Sequence, residues 1–283
     1  MEAKLDVRPS PIAGRWYPAE AGSLARSVDE YLQAAVLPEI PGEVVAVMAP
    51  HAGHRYSGPV AGYAFATLRK SQPEVVAVVS PMHYPDRHPL LTSAHAAYQT
   101  PLGALLVDQA ALGEVDRGLH AELGFGLTRV SNDPEHSLEI ELPFLQRALA
   151  GDFQLLPVMV RDRTVPVARA LGSALAKALS GRRAVLVAST DLSHFYPVER
   201  ANALDAEMLR AVEALDPTGV MRVEEEGRGF ACGCSALAAV LWAAQALGAD
   251  KVQILRHATS GDVTGDYSGV VGYAAAVITR PEN

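Results

Sequence analysis

Four histidines in this chain follow short apolar runs at similar distances, and that repetition is the first sign of chemistry. Residues 44–48 lead into Ala49-Pro50-His51, and residues 75–79 into Ser80-Pro81-Met82-His83. Residues 184–188 lead into Ser189-Thr190-Asp191-Leu192-Ser193-His194, and residues 252–255 into Arg256-His257. Ligands of open α/β sheets bind at the carboxyl ends of the strands. Imidazoles delivered to that edge by separate strands converge on one pocket, where neutral rings suit iron, zinc or copper. Taken singly, each histidine is explained as a loop cap; the repeated arrangement favours a shared pocket.

Cys232 extends the set. It stands in Phe230-Ala231-Cys232-Gly233-Cys234-Ser235, just ahead of an apolar helical run. There a helix dipole favours the thiolate, and hence a metal ligand or nucleophile. The stretch Asp133-Pro134-Glu135-His136-Ser137 is a second dense polar cluster. Its Glu135 and His136 can bind an anionic group or move a proton, or Glu135 is simply a first-turn carboxylate. Asp191, three residues before His194, can orient that imidazole or form a turn. The chain has no His-Glu-x-x-His or Cys-x-x-Cys motif, and its Gly53–Gly58 segment lacks the spacing and lysine of a phosphate loop.

The elements that must position these residues are readable from the pattern. Continuous apolar runs at 44–48, 75–79, 153–160, 184–188, 252–255 and 270–278 predict strands buried on both faces. Helical spacing over 23–35, 60–68, 165–179, 200–215 and 235–247 predicts the covering helices. Asn132-Asp133-Pro134 reads as a helix start, giving a helix over about 135–149 that is kinked or broken at Pro143. The expectation is one α/β domain over 1–283, a mostly parallel or mixed central sheet with helices on both faces. Residues 1–22, with Trp16 and Tyr17, form an extension packed against it.

Composition narrows the function. The 283 residues carry 24 Lys+Arg against 32 Asp+Glu, a net charge of −8, and 49% are hydrophobic. That is too apolar for disorder, and an acidic chain is a poor match to a nucleic-acid backbone. Its longest near-apolar stretch, 236–249, is too short to span a membrane. Met-Glu-Ala-Lys-Leu-Asp at the start has no basic or apolar leader character. The two cysteines stand two apart, no disulfide framework. A cytoplasmic enzyme or small-molecule binder is expected, with neither nucleic-acid nor membrane partner.

Seven segments in order resemble the Memo-like proteins, whose bacterial and archaeal members are often called protein B of the AmmeMemoRadiSam system. They are Ala13-Gly14-Arg15-Trp16-Tyr17, Ala49-Pro50-His51-Ala52-Gly53, Ser80-Pro81-Met82-His83, Glu135-His136-Ser137-Leu138-Glu139 with Leu142-Pro143, Ser189-Thr190-Asp191-Leu192-Ser193-His194, Cys232-Gly233 and Gly272-Tyr273-Ala274-Ala275. The resemblance implies a fold like the class III, LigB-type extradiol dioxygenases. It implies His51, His83 and Cys232 as metal ligands and His194, accompanied by Asp191, as acid/base, with Glu135 and His136 lining the pocket. Those dioxygenases hold Fe(II) with two histidines and a carboxylate, and here a cysteine takes the carboxylate's place. A thiolate is softer, favours copper or zinc more, and is itself oxidisable, so ring cleavage does not follow from the fold. Tyr84 also stands where relatives can carry a second histidine.

The leading expectation is a metal-dependent redox enzyme, dioxygenase-like, acting on a small molecule with Fe(II), or else copper or zinc. The resemblance implies a radical-SAM pathway partner. Two alternatives use the same pocket: a zinc site activating water for hydrolysis, and a non-catalytic protein that binds a ligand or peptide.

Overall fold

Each apolar run read as a strand lies in a mixed sheet whose parallel centre aims four strand ends at one edge. In the computed structural model, which describes residues 5–69 and 71–282, the strands are β1 (Val7–Arg8), β2 (Glu43–Ala49), β3 (Val75–Pro81), β4 (Leu90–Ser93), β5 (Ala97–Thr100), β6 (Gly103–Leu106), β7 (Thr128–Val130), β8 (Gln154–Val160), β9 (Ala184–Ser189), β10 (His194–Tyr196), β11 (Lys251–Thr259) and β12 (Val270–Arg280). The main sheet runs β10-β12-β2-β9-β3-β8-β4-β7, with β11 also paired to β12. β2, β9, β3 and β8 are mutually parallel, and β12 is antiparallel to β2 and β11. Every residue of β3 is buried, as expected for a strand covered on both faces.

The helices are α1 (Ala21–Ala34), α2 (His54–Ala66), α3 (Gln109–Leu123), α4 (Leu142–Ala148), α5 (Val165–Leu179), α6 (Val198–Glu213), α7 (Pro217–Glu225), α8 (Cys234–Ala246) and the short α9 (Gly261–Thr264). α8 is the most enclosed, packing on β2, β3 and β9 and under α5 and α7. Its alanine-rich sequence lets α5 come close: a Cβ on Gly172 would lie 2.7 Å from the Ala239 carbonyl oxygen. α1, α2 and α4 pack together elsewhere on the sheet, α2 against β2, β11 and β12. Among the described residues no helix is long and apolar enough to cross a membrane.

One local expectation fails. Residues 132–138 are not helical; Asn132 takes a positive φ of 51°, and helix resumes with a 3-10 turn at Glu139–Glu141 and then α4. Pro143 therefore sits in the first turn of α4, where its missing N–H costs nothing, instead of kinking a longer helix. The apparent start signal is used otherwise. Asp133 turns its carboxylate onto buried Arg8 (Nε–Oδ2 2.9 Å, Nη2–Oδ1 2.9 Å). Arg8 also donates to Glu139 Oε2 at 2.6 Å and to the Glu135 carbonyl at 2.8 Å, under the Tyr98 ring.

The expected 1–22 extension thus becomes structural. Its first four residues lie outside the described residues; the rest supplies β1, which joins β5 and β6 in a small second sheet. It also supplies Tyr17, whose hydroxyl donates to Glu139 at 2.6 Å. Removing Arg8 leaves two buried carboxylates without their cation, a defect costing about 3–5 kcal/mol. Arg8→Ala is expected to lose that much in chemical denaturation, with loosening of the 132–138 segment seen as faster amide exchange.

Candidate metal centre

Three strands deliver the first groups. β2 ends at Ala49 and β9 at Ser189, which are register partners, so His51 and Asp191 each lie two residues beyond adjacent strand ends. β3 ends at Pro81, placing His83 beside them. A third imidazole comes from the irregular 132–138 segment. Ligand atoms of His51, His83 and His136 lie within 4.8 Å of one another. The His83 and His136 rings stack at 4.8 Å and 15°, and each meets the His51 ring nearly edge-on. His136, expected only to line the pocket, is thus one of the three imidazoles that converge; its signal was its place next to Glu135.

What orients the rings is Glu135, almost wholly buried. Its Oε1 accepts from His83 Nδ1 (3.0 Å) and from the His136 and Ser137 backbone N–H groups (2.9 Å each), and lies 3.2 Å from His136 Nδ1. Its Oε2 accepts the His83 N–H at 2.5 Å. Burial would raise this carboxyl, but the His83 hydrogen bond and charge, His136 and the Ser137 N–H outweigh it and hold it well below the usual carboxylate range. His51 Nδ1 is engaged by Ser189 Oγ at 2.9 Å. All three imidazoles therefore have Nδ1 backed by an oxygen, which makes Nε2 the prospective ligand atom, the arrangement by which proteins orient metal-binding histidines. Burial, with the neighbouring His136 and His83, holds His51 well below its ordinary range, and burial lowers His136 to about 4. Both are neutral at pH 7, as ligation requires.

Cys232 approaches from a distant part of the chain. Its Sγ lies 3.1 Å from His51 Nε2 and accepts the Asp191 N–H at 3.2 Å. Gly233 makes this approach possible: a Cβ there would lie 2.5 Å from the Ser189 carbonyl. α8 begins at Cys234 with Gly233 as its cap, so Cys232 lies just outside the helix. The expected dipole effect is outweighed, because burial and the Asp191 carboxyl push the Cys232 thiol up. Cys234 is buried against α7, with Sγ near the Val220 carbonyl.

Asp191 gives Oδ1 to the His51 N–H at 2.8 Å, and Oδ2 lies 4.0 Å from His51 Nε2. Burial pushes its carboxyl up to about 7. His194 donates Nδ1–H to the Leu192 carbonyl at 2.8 Å, so that backbone group, and not Asp191, sets its tautomer. Burial lowers its pKa. The fourth strand-end histidine, His257, stands apart: it lies inside β11 and bonds Asp205 at 2.8 Å. A cleft of about 360 Å³ opens on the centre, lined by His83, Cys232, His194, Arg161 and the aromatic pair Phe195 and Phe230. Phe195, with φ of 63° and 77% exposed, stands at its mouth.

Comparison with known proteins accords with this arrangement. The family model of the Memo-like proteins matches residues 8–277, a span that includes every group named above. This chain belongs to the Memo-like family. It is 35% identical to a MEMO1 family protein of Methanopyrus kandleri over 96% of this chain and 99% of that one. Similar relatives occur in Nitrosopumilus maritimus (33% identical, 95% and 98% covered) and Pyrobaculum aerophilum (32%, 98% and 100%). The resemblance read from the seven segments holds over nearly the full length.

Two outcomes follow. Glu135→Gln places an amide N–H against the His83 donors, and zinc affinity measured by chelator competition is expected to fall about 10–100-fold. His54, fully buried with Nε2–H on the Ile140 carbonyl, is lowered to about 4 by burial. The unfolded chain takes that proton near pH 6.5, so between about 6.5 and 4 it binds more protons than the native state. His54 therefore contributes stability above about pH 6.5 that is lost as pH falls toward 4. Urea midpoints across that range are expected to show a slope up to one proton smaller in His54→Leu.

Proposed function

We propose that this Memo-family chain is a metal-dependent enzyme of redox type that acts on a small molecule in the cleft. The observation that carries the reading is the set of three converging imidazoles, His51 buried and His83 and His136 more open, each with Nδ1 backed by an oxygen, beside a thiol. His51 and His83 hold the ion, Cys232 supplies sulfur and His136 a further nitrogen, a donor set that suits iron or copper as well as zinc. Such an ion would supply one-electron and oxygen chemistry, or Lewis acidity if it is zinc.

The chain's own residues do the rest. Glu135 spreads its charge over the rings and N–H groups that it orients, so the centre carries a compensating negative charge next to the ion. His194, neutral at pH 7 and with Nδ1 occupied, offers Nε2 to take a proton from a molecule in the cleft. The rings of Phe195 and Phe230 flank His194 at 5.7 and 5.4 Å and limit water around it. Asp191 fixes the His51 backbone and, titrating near 7, can exchange a proton with the pocket. That same value favours a second reading, zinc-assisted hydrolysis with Asp191 as base. The substrate belongs, on this reading, to a cytoplasmic pathway that also uses a radical-SAM protein.

Protein purified without oxygen is expected to carry iron or copper near one ion per chain, and Cys232→Ala substantially less. Zinc alone, with no oxygen uptake on any small-molecule panel, would favour hydrolysis. Trace metal in both proteins, and none taken up on titration, overturns the metal centre.

A further inference from the structure

Behind His51 lies a polar group that the proposed chemistry does not use. Glu141, last residue of the 3-10 turn, is completely buried. Its Oε1 meets Ser189 Oγ at 2.7 Å, while Oε2 is buried with no hydrogen-bond partner among the described residues. Ser189 Oγ has two further neighbours, the Ser137 carbonyl at 2.6 Å and His51 Nδ1 at 2.9 Å.

A hydroxyl has one proton to give and two lone pairs to receive with. The Ser137 carbonyl can only accept, so at 2.6 Å it takes the Ser189 proton. The other two neighbours must then donate: His51 through Nδ1–H, and Glu141 through a carboxylic O–H. The opposite assignment, with Ser189 donating to an ionised Glu141, leaves two bare oxygens 2.6 Å apart. It also leaves a buried charge with one oxygen unsolvated, which is costly. From this count we propose that Glu141 is a neutral acid which, through Ser189, fixes His51 as the Nδ1–H tautomer and so presents its Nε2 lone pair to the centre. Burial and the nearby Asp191 carboxyl both push Glu141 well above the usual carboxylate range, in the same direction.

Glu141 and Ser189 are positioning residues under this assignment. The centre is then backed asymmetrically, by an anion behind His83 and His136 and by a neutral hydroxyl acceptor behind His51. The tautomer and the acid are properties of the metal-free chain. Only their consequence for affinity rests on the reading of His51 as a ligand.

The test uses metal-free wild-type protein first. Infrared spectra at alkaline pH, above the range where Asp191 titrates, are expected to show a carboxylic-acid carbonyl band that is absent from Glu141→Gln. Imidazole nitrogen NMR is expected to show His51 protonated at Nδ1 in the wild type and in Glu141→Gln, whose amide still donates to Ser189. Ser189→Ala is expected to mix the tautomers and weaken zinc binding about 10–100-fold, while Glu141→Gln keeps the wild-type affinity. No acid band, or a His51 proton on Nε2 in the wild type, overturns the proposal even if Ser189→Ala fails to fold. A band and tautomer as expected in a chain that takes up no zinc, iron or copper would sustain it and remove the metal centre instead.

Discussion

The buried Arg8 guanidinium is the tie on which the centre's geometry depends. Segment 132–138 has neither helix nor strand to hold it, yet it carries Glu135 and His136 into the interior. Its shape is set by Arg8 gripping Asp133, the Glu135 carbonyl and Glu139, and by Tyr17 and Ser10 closing on Glu139 from the same N-terminal stretch. An irregular loop tied by four hydrogen bonds to one cation, with a fifth to Glu139 just beyond it, can be as well placed as a strand end. Replacing such a network by apolar groups would cost little in stability; what it would remove is the path by which Glu135 reaches His83. Trp16 completes the support, its ring against that of His136 at 4.0 Å.

With that segment in place, the two halves of the centre obey different constraints. His51, Asp191 and His83 are delivered by parallel strands, so their spacing follows from sheet register and tolerates little drift. His136 and Cys232 come from loops remote in the chain, Cys232 lying 181 residues from His51. Sheet register alone does not place them. Glu135 bridges the halves, bonding His83 on one side and its own loop on the other. Thr190 and Asp191 do the same for Cys232. The Thr190 hydroxyl accepts the Gly233 N–H at 2.9 Å, and the Asp191 carbonyl accepts the Cys232 N–H at 3.1 Å.

How much of this was legible follows from the kind of constraint. Six strands and five helices were readable because burial leaves its mark in the sequence, although β11, expected to be buried on both faces, is a half-exposed strand paired only to β12. Delivered by the buried strands, His83 and His194 reach the cleft, and His51 joins the imidazole cluster. His257 does neither, because β11 continues through it to Thr259, and an apolar run of four residues gave no sign of that continuation. Helices α3 and α7 and the short strands β4 to β7 carry weaker periodicity. The role of segment 132–138 was hidden because Asn-Asp-Pro is a helix start by local rules, while the competing interaction, Arg8 with Asp133, spans 125 residues. Long-range ion pairs leave no local mark.

Cys232 shows why the centre needs its surroundings as a whole. In the metal-free chain burial keeps the sulfur a thiol, against the N–H donors around it. A cation near His51 Nε2 would reverse that balance, since a coordinating thiol gives up its proton. The proton has a nearby acceptor in Asp191, which titrates near 7 and whose backbone already bonds the sulfur. Asp191 therefore links three roles that a list of ligands would separate: anchoring His51, holding Cys232 in place, and receiving the proton that a bound cation would displace. On this view the low-lying Glu135 and the high-lying Asp191 are complementary. One keeps its negative charge and orients imidazoles with it, and the other, by taking a proton, would pass its charge to the sulfur when an ion is there to require it.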